Sequence, residues 1–203
     1  MPQITSAYEQ FSVQGVKPED IWKLFNVSNF SYYCAMVDDL QSGKCPFCQI
    51  DWERNKLLFS TAYWYCWENT IAPRDKGGNA QEHQFVIPCR RHITHLNQLE
   101  PRELVELGDV ITRIDTEFSI TGGVIVIRSG DHKKCAKSVD HVHVNYHVPT
   151  GNEKVQVTIA KSMADIEKKL PLLRVFEKVR QARLHQEKAN LTEEEKALLV
   201  DRM

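Results

Sequence analysis

Polar and apolar residues alternate without a break along His141-Val142-His143-Val144-Asn145-Tyr146-His147-Val148, which Asp140 precedes. A period of two marks a half-buried β-strand, because successive side chains leave a strand on opposite faces. Val142, Val144, Tyr146 and Val148 therefore face a core, and His141, His143, Asn145 and His147 share the other face. Residues 57–59, 63–67, 84–88 and 124–127 also read as strands. Residues 155–159 alternate too and predict the second arm of a hairpin turned at Pro149-Thr150-Gly151-Asn152. Residues 72–81, with Pro73, Gly77, Gly78 and Asn79, read as a loop.

Helical periodicity appears in three places. Leu104, Leu107, Ile111, Ile114 and Phe118 recur at steps of three and four behind Pro101 and ahead of Gly122-Gly123, which predicts one long amphipathic helix. Ile21, Leu24 and Phe25 follow Pro18-Glu19-Asp20 and predict a short one in an appended N-terminal segment, residues 1–43. A capping-box-like Ser162-Met163-Ala164-Asp165 opens a C-terminal helical segment, residues 161–203, punctuated at Pro171 and ending in charged sequence from Glu187. The whole predicts an α+β fold.

Composition narrows the class. With 26 basic and 27 acidic side chains in 203 residues, the net charge of -1 offers no bulk attraction to nucleic acid or to an anionic membrane. No apolar run is long enough to span a bilayer, and the first residues lack the pattern of a secretory leader, so the expectation is a soluble cytoplasmic protein. Six cysteines are too few for a disulfide scaffold at this length.

Cys45 and Cys48 form the single close pair, in Lys44-Cys45-Pro46-Phe47-Cys48. A redox centre would need a buried strand just before it, and Asp38-Asp39-Leu40-Gln41-Ser42-Gly43 is not one. Two idle thiols in a turn would serve no purpose. A zinc half-site fits better, since this spacing lets two thiolates reach one tetrahedral ion, and His92 and His141 can complete the shell. Solvent-facing histidines are common on the wet side of a sheet, yet four polar positions in register favour a site. Trp64, Tyr65 and Trp67 read as core side chains, and His95, His132 and His185 as surface residues.

Taken together, the thiol pair, Val86-Ile87-Pro88-Cys89-Arg90-Arg91-His92-Ile93, the long helix and Ser138-Val139-Asp140-His141-Val142-His143-Val144-Asn145 resemble the histidine triad (HIT) superfamily over residues 44–160. The resemblance implies an antiparallel sheet of about five strands with a long helix across it, and often a homodimer. It implies a nucleotide or nucleotide-conjugate substrate, on which His143 attacks the phosphorus at a nucleoside 5′ oxygen to form a nucleotidyl-histidine. It further implies Ser138 on the phosphate, Asn69 on the ribose, and a structural zinc on Cys45, Cys48, His92 and His141 that braces the nucleophile's strand. Lys137 and His147 are further candidates for substrate binding, within the basic stretch 128–138 and at the end of the chemical face.

Two residues depart from the hydrolases of that family. Asn145 stands where they carry a third histidine, and Asn69 where they carry an aspartate; both are more similar to the galactose-1-phosphate uridylyltransferase-like branch. An amide binds phosphate but carries no proton near neutrality. The reading is thus nucleotidyl transfer or hydrolysis, and the alternative is a catalytically weak, zinc-stabilised nucleotide-binding or adaptor protein.

Overall fold

The computed structural model describes residues 10–69, 81–152, 154–200 and 202–203. The chain forms two compact units, one of residues 45–131 and 139–158, the other of residues 1–44, 132–138 and 159–203. Among the described residues no helix is long and apolar enough to cross a membrane.

The first unit is built on an antiparallel sheet of β1 (Leu57–Ser60), β2 (Tyr65–Glu68), β3 (Gln81–Pro88), β4 (Val124–Ile127) and β5 (His143–Pro149), in the order β1-β2-β3-β5-β4. The long helix of this unit, Pro101–Glu117, has Pro at its first turn, and the Glu103 carboxylate accepts the orphan amide of Glu100 at 2.7 Å. Its Leu107, Val110 and Ile114 bury against Phe85, Ile87, Val142, Val144, Tyr146 and Val148. One face of β5 is therefore core, as the alternation predicts, and the α+β expectation holds. Gly123 is required where β4 meets β5, since a Cβ there would lie 2.4 Å from the Tyr146 ring.

Residues 155–159 do not form a strand. β5 already pairs with β3 on one edge and β4 on the other, so no edge is open for a hairpin partner. Strand β3 begins at Gln81, earlier than expected, while the remainder of the expected loop, residues 72–80, lies outside the described residues.

The second unit is helical: α1 (Ile21–Leu24), α2 (Phe30–Ser42), α4 (His132–Cys135), α5 (Met163–Leu184) and α6 (Glu193–Leu199), with Pro101–Glu117 of the first unit as α3. The expected N-terminal helix is a 3-10 turn at Pro18–Asp20 running into α1. Helix α2 was not foreseen; Asn29 caps its start by accepting from the Tyr32 amide at 2.8 Å, and Gly43 ends it in the left-handed region. Phe30 and Tyr33 of α2 pack on Phe176 of α5 with ring centroids 5.6 and 5.5 Å apart. Ser162 and Asp165 form the capping box, but α5 runs straight through Pro171, carried by the buried flank of Leu170, Leu172 and Leu173.

Candidate active site and metal centre

The turn at residues 45–49, closed by hydrogen bonds from the Cys48 and Gln49 amides to the Cys45 carbonyl, brings both thiols to one side. The segment after β3 is tied to the start of the histidine strand, with Cys89 N–H donating to Val142 at 3.1 Å and Val142 N–H donating to Ile93 at 2.7 Å. Those links set His92 beside His141. The ligating atoms of Cys45, Cys48, His92 and His141 consequently lie within 4.8 Å of one another. The sulfurs of Cys45 and Cys48 are 3.4 and 3.6 Å from His141 Nδ1, and Cys48 Sγ is 3.2 Å from His92 Nδ1.

This set fits a tetrahedral zinc ion. Zinc bonds of about 2.3 Å to sulfur and about 2.0–2.1 Å to nitrogen place S and N about 3.6 Å apart. The protonation is also right. His141 Nε2–H donates to the Cys89 carbonyl at 2.6 Å, so the Nδ1 lone pair is the one turned to the thiols. Burial lowers the pKa of His141, which favours the neutral, ligating ring. Burial and the neighbouring Cys45 push the Cys48 thiol up to about 11, the reverse of the depressed value a redox thiolate needs. A cation would relieve that penalty.

One step along the strand, His143 Nδ1–H donates to the His141 carbonyl at 2.8 Å. In a neutral ring this leaves Nε2 as the basic nitrogen. His141, His143, Asn145 and His147 are 0, 8, 8 and 7 % exposed, so the face they share is not the wet side of a sheet. The register extends it across the strands. Trp67, Val86, Asn145 and Val126 lie in one row, and Gln84, His147 and Val124 in the next, with the Asn69 amide donating to the Gln84 carbonyl at 2.7 Å. Asn69 thus stands at the end of the His147 row.

Of the aromatic residues read as core, Trp64 is: it is buried, and its Nε1–H donates to the Glu103 carbonyl at 2.9 Å. Tyr65 and Trp67 instead lie on the histidine face, where Trp52 stacks edge-on to both at 5.2 and 6.4 Å and Phe47 packs on Trp67 at 5.8 Å. Phe47 also meets His143 at 4.8 Å. The sequence reading missed Phe47, although its place between the two cysteines marks it for the site.

Ser138 and Lys137 belong to the other unit. There the Ser138 hydroxyl bonds that of Tyr32, the Lys137 carbonyl accepts from Asn26 at 2.9 Å, and Lys137 is 2 % exposed. In the basic stretch, Lys133 lies over the Trp22 ring.

Residues 61–153 match the model of the HIT domain. Comparison with curated proteins found no match. Similar solved structures include a histidine triad nucleotide-binding protein from Candida albicans (18 % identity, 64 % of this chain and 95 % of that one, TM-score 0.42). A Zn-bound histidine triad family protein from Mycobacterium smegmatis is 20 % identical over 71 % of this chain and 98 % of that one, with a TM-score of 0.42. Diadenosine triphosphate hydrolase from Plasmodium falciparum is 18 % identical over 65 and 80 %, with a TM-score of 0.38. The stretch matched to that domain model is the one that carries His92, His141, His143 and Asn145, so this segment is similar to a HIT domain.

Proposed function

We propose that the protein is a zinc-braced enzyme that transfers or hydrolyses a nucleotidyl group through His143. The observation that carries this reading is the 2.8 Å hydrogen bond from His143 Nδ1–H to the His141 carbonyl, which fixes the tautomer and aims the Nε2 lone pair. Nε2 attacks the α-phosphorus of a nucleoside 5′ phosphoanhydride or phosphoester. A nitrogen–phosphorus bond forms, the bond to the leaving oxygen breaks, and the leaving group departs with its electron pair. Water or a phosphate-bearing acceptor then attacks the phosphorus, loses a proton to solvent, and releases the neutral imidazole.

Asn145 directs the choice of leaving group. Its amide holds phosphoryl oxygens but donates no proton to a departing alkoxide. Substrates whose leaving group is already a stable anion, such as a polyphosphate or a sugar phosphate, are therefore favoured, which suits transfer or phosphorolysis as in the galactose-1-phosphate uridylyltransferase-like branch. Asn69 holds the ribose. Cys45, Cys48, His92 and His141 would hold zinc, whose charge would stabilise the two thiolates and stiffen the base of the histidine strand. A reducing cytoplasm keeps those thiols available.

Intact-mass analysis after incubation with dinucleoside polyphosphates and nucleotide sugars is the test. A nucleotidyl adduct that vanishes in His143→Ala is the expected result. Tight nucleotide binding with no adduct from any substrate would instead establish the binding or adaptor role.

A further inference from the structure

His147 lies two rows beyond the nucleophile and belongs to no part of the metal shell. Its ring is buried, its Nδ1–H donates to Gln81 Oε1 at 2.8 Å, and its Nε2 is enclosed with no hydrogen-bond partner among the described residues. The Gln81 contact depends on a local irregularity. Between Gln81 and His83 the β3–β5 register shifts, so that Gln81 comes opposite Pro149, on the histidine face, rather than on the core face that the parity of His83 and Phe85 dictates. A bulge of this kind re-aims one side chain at the cost of local pairing. Here it sets the tautomer of a buried imidazole.

The consequence, among the described residues, is an acceptor with nothing to accept. An enclosed polar nitrogen without a partner destabilises a fold, so its retention calls for a ligand or a water. Phosphate oxygens at neutral pH are themselves acceptors. Protonation, which would turn the ring into an anion site, is opposed by burial and by the positive charge of Arg128. The group that fits is a hydroxyl donor. His147 shares its row with Gln84, and Asn69 Nδ2 donates to Gln84 Oε1 at 3.4 Å, so a polar strip of Asn69, Gln84 and His147 crosses three strands on the nucleophile's side.

Building on the nucleotide reading above, we propose that His147 Nε2 accepts a hydrogen bond from a ribose hydroxyl, making it a specificity residue that selects ribonucleotides over deoxyribonucleotides. Gln81 is the positioning residue that holds the ring in the accepting tautomer.

Calorimetric titration of the full-length, metal-loaded protein with AMP, GMP, CMP and UMP identifies the monophosphate bound best, which is then compared with its 2′-deoxy and 3′-deoxy forms. One deoxy form should bind about tenfold more weakly to the wild type, the loss typical of one hydrogen bond. His147→Leu should bind both forms alike, and His147→Gln, which keeps an acceptor, should restore part of the gap. Equal binding of ribo and both deoxy forms by the wild type overturns the proposal without recourse to any variant. An undiminished gap in a folded His147→Leu overturns it as well, leaving water on that nitrogen. Failure of all four monophosphates to bind, together with absence of the His143 adduct, would overturn the nucleotide reading itself and this proposal with it.

Discussion

The ring of Phe47 stands 4.8 Å from that of His143, centroid to centroid, and 5.7 Å from that of His141. Phe47 is held between Cys45 and Cys48, so the loop that gathers the thiols also packs a wall against the proposed nucleophile. Removing that wall by Phe47→Ala should cost about 1–2 kcal/mol, below the range for a fully buried Phe because this side chain is only partly buried. Nucleotidyl adduct formation should slow while zinc content stays near one per chain. Time-resolved intact mass and metal analysis read the two quantities separately.

Metal removal should act on stability before chemistry. Chelation, or Cys45→Ser with Cys48→Ser, leaves His92 and His141 without a shared ion and should lower the melting temperature by several degrees. Differential scanning fluorimetry with and without added zinc checks this. Recovery of the lost stability on adding zinc is expected for the wild type and not for the double variant.

Asn145→His would place a proton carrier beside the proposed nucleophile. We expect turnover of substrates with poorly acidic leaving groups to rise at least tenfold, within the span usual for general acid catalysis. Substrates with polyphosphate leaving groups should change little. The larger ring enters a buried position, so about 1–3 kcal/mol of stability should be lost in exchange. Steady-state rates on paired substrates and a urea titration measure both effects.

Glu103 is the acid-sensitive point of the core. Its buried carboxylate accepts from Arg91 at 2.8 and 3.1 Å and from the Glu100 amide, and these partners, Arg91 foremost, hold its pKa below the usual glutamate value. A depressed pKa contributes stability that is whole above the unfolded value, about 4.3, and is lost as pH falls through the folded one. Glu103→Gln should therefore unfold with a flatter pH dependence below about pH 4.5. At pH 7 it should be less stable than the wild type by about 1–3 kcal/mol in urea.

What could be read from the residues alone follows a physical divide. The His143 strand and the long helix were legible because each owns a period that only one element satisfies. The gathering of Cys45, Cys48, His92 and His141 was legible because spacing and chemistry restrict which residues can share a metal site. Residues 155–159 misled because alternation states what a strand would bury, not whether a sheet edge is open to receive it. Tyr65 and Trp67 were misplaced for a related reason: hydropathy marks them as buried, but both faces of this sheet are covered, and only register tells the faces apart. Helix α2 left its signals in plain sight, Asn29 before it and Gly43 after. Its apolar positions are diluted by polar ones, and that hid the period.

Because β5 is clasped by neighbours along both edges, the spacing of its imidazoles is bound to chain length as firmly as to residue type. Substitution can retune this site one side chain at a time. Insertion of a single amino acid within His143–Pro149 would invert the parity of the strand downstream of it, driving histidine into the hydrocarbon beneath α3 and valine towards the face of His143.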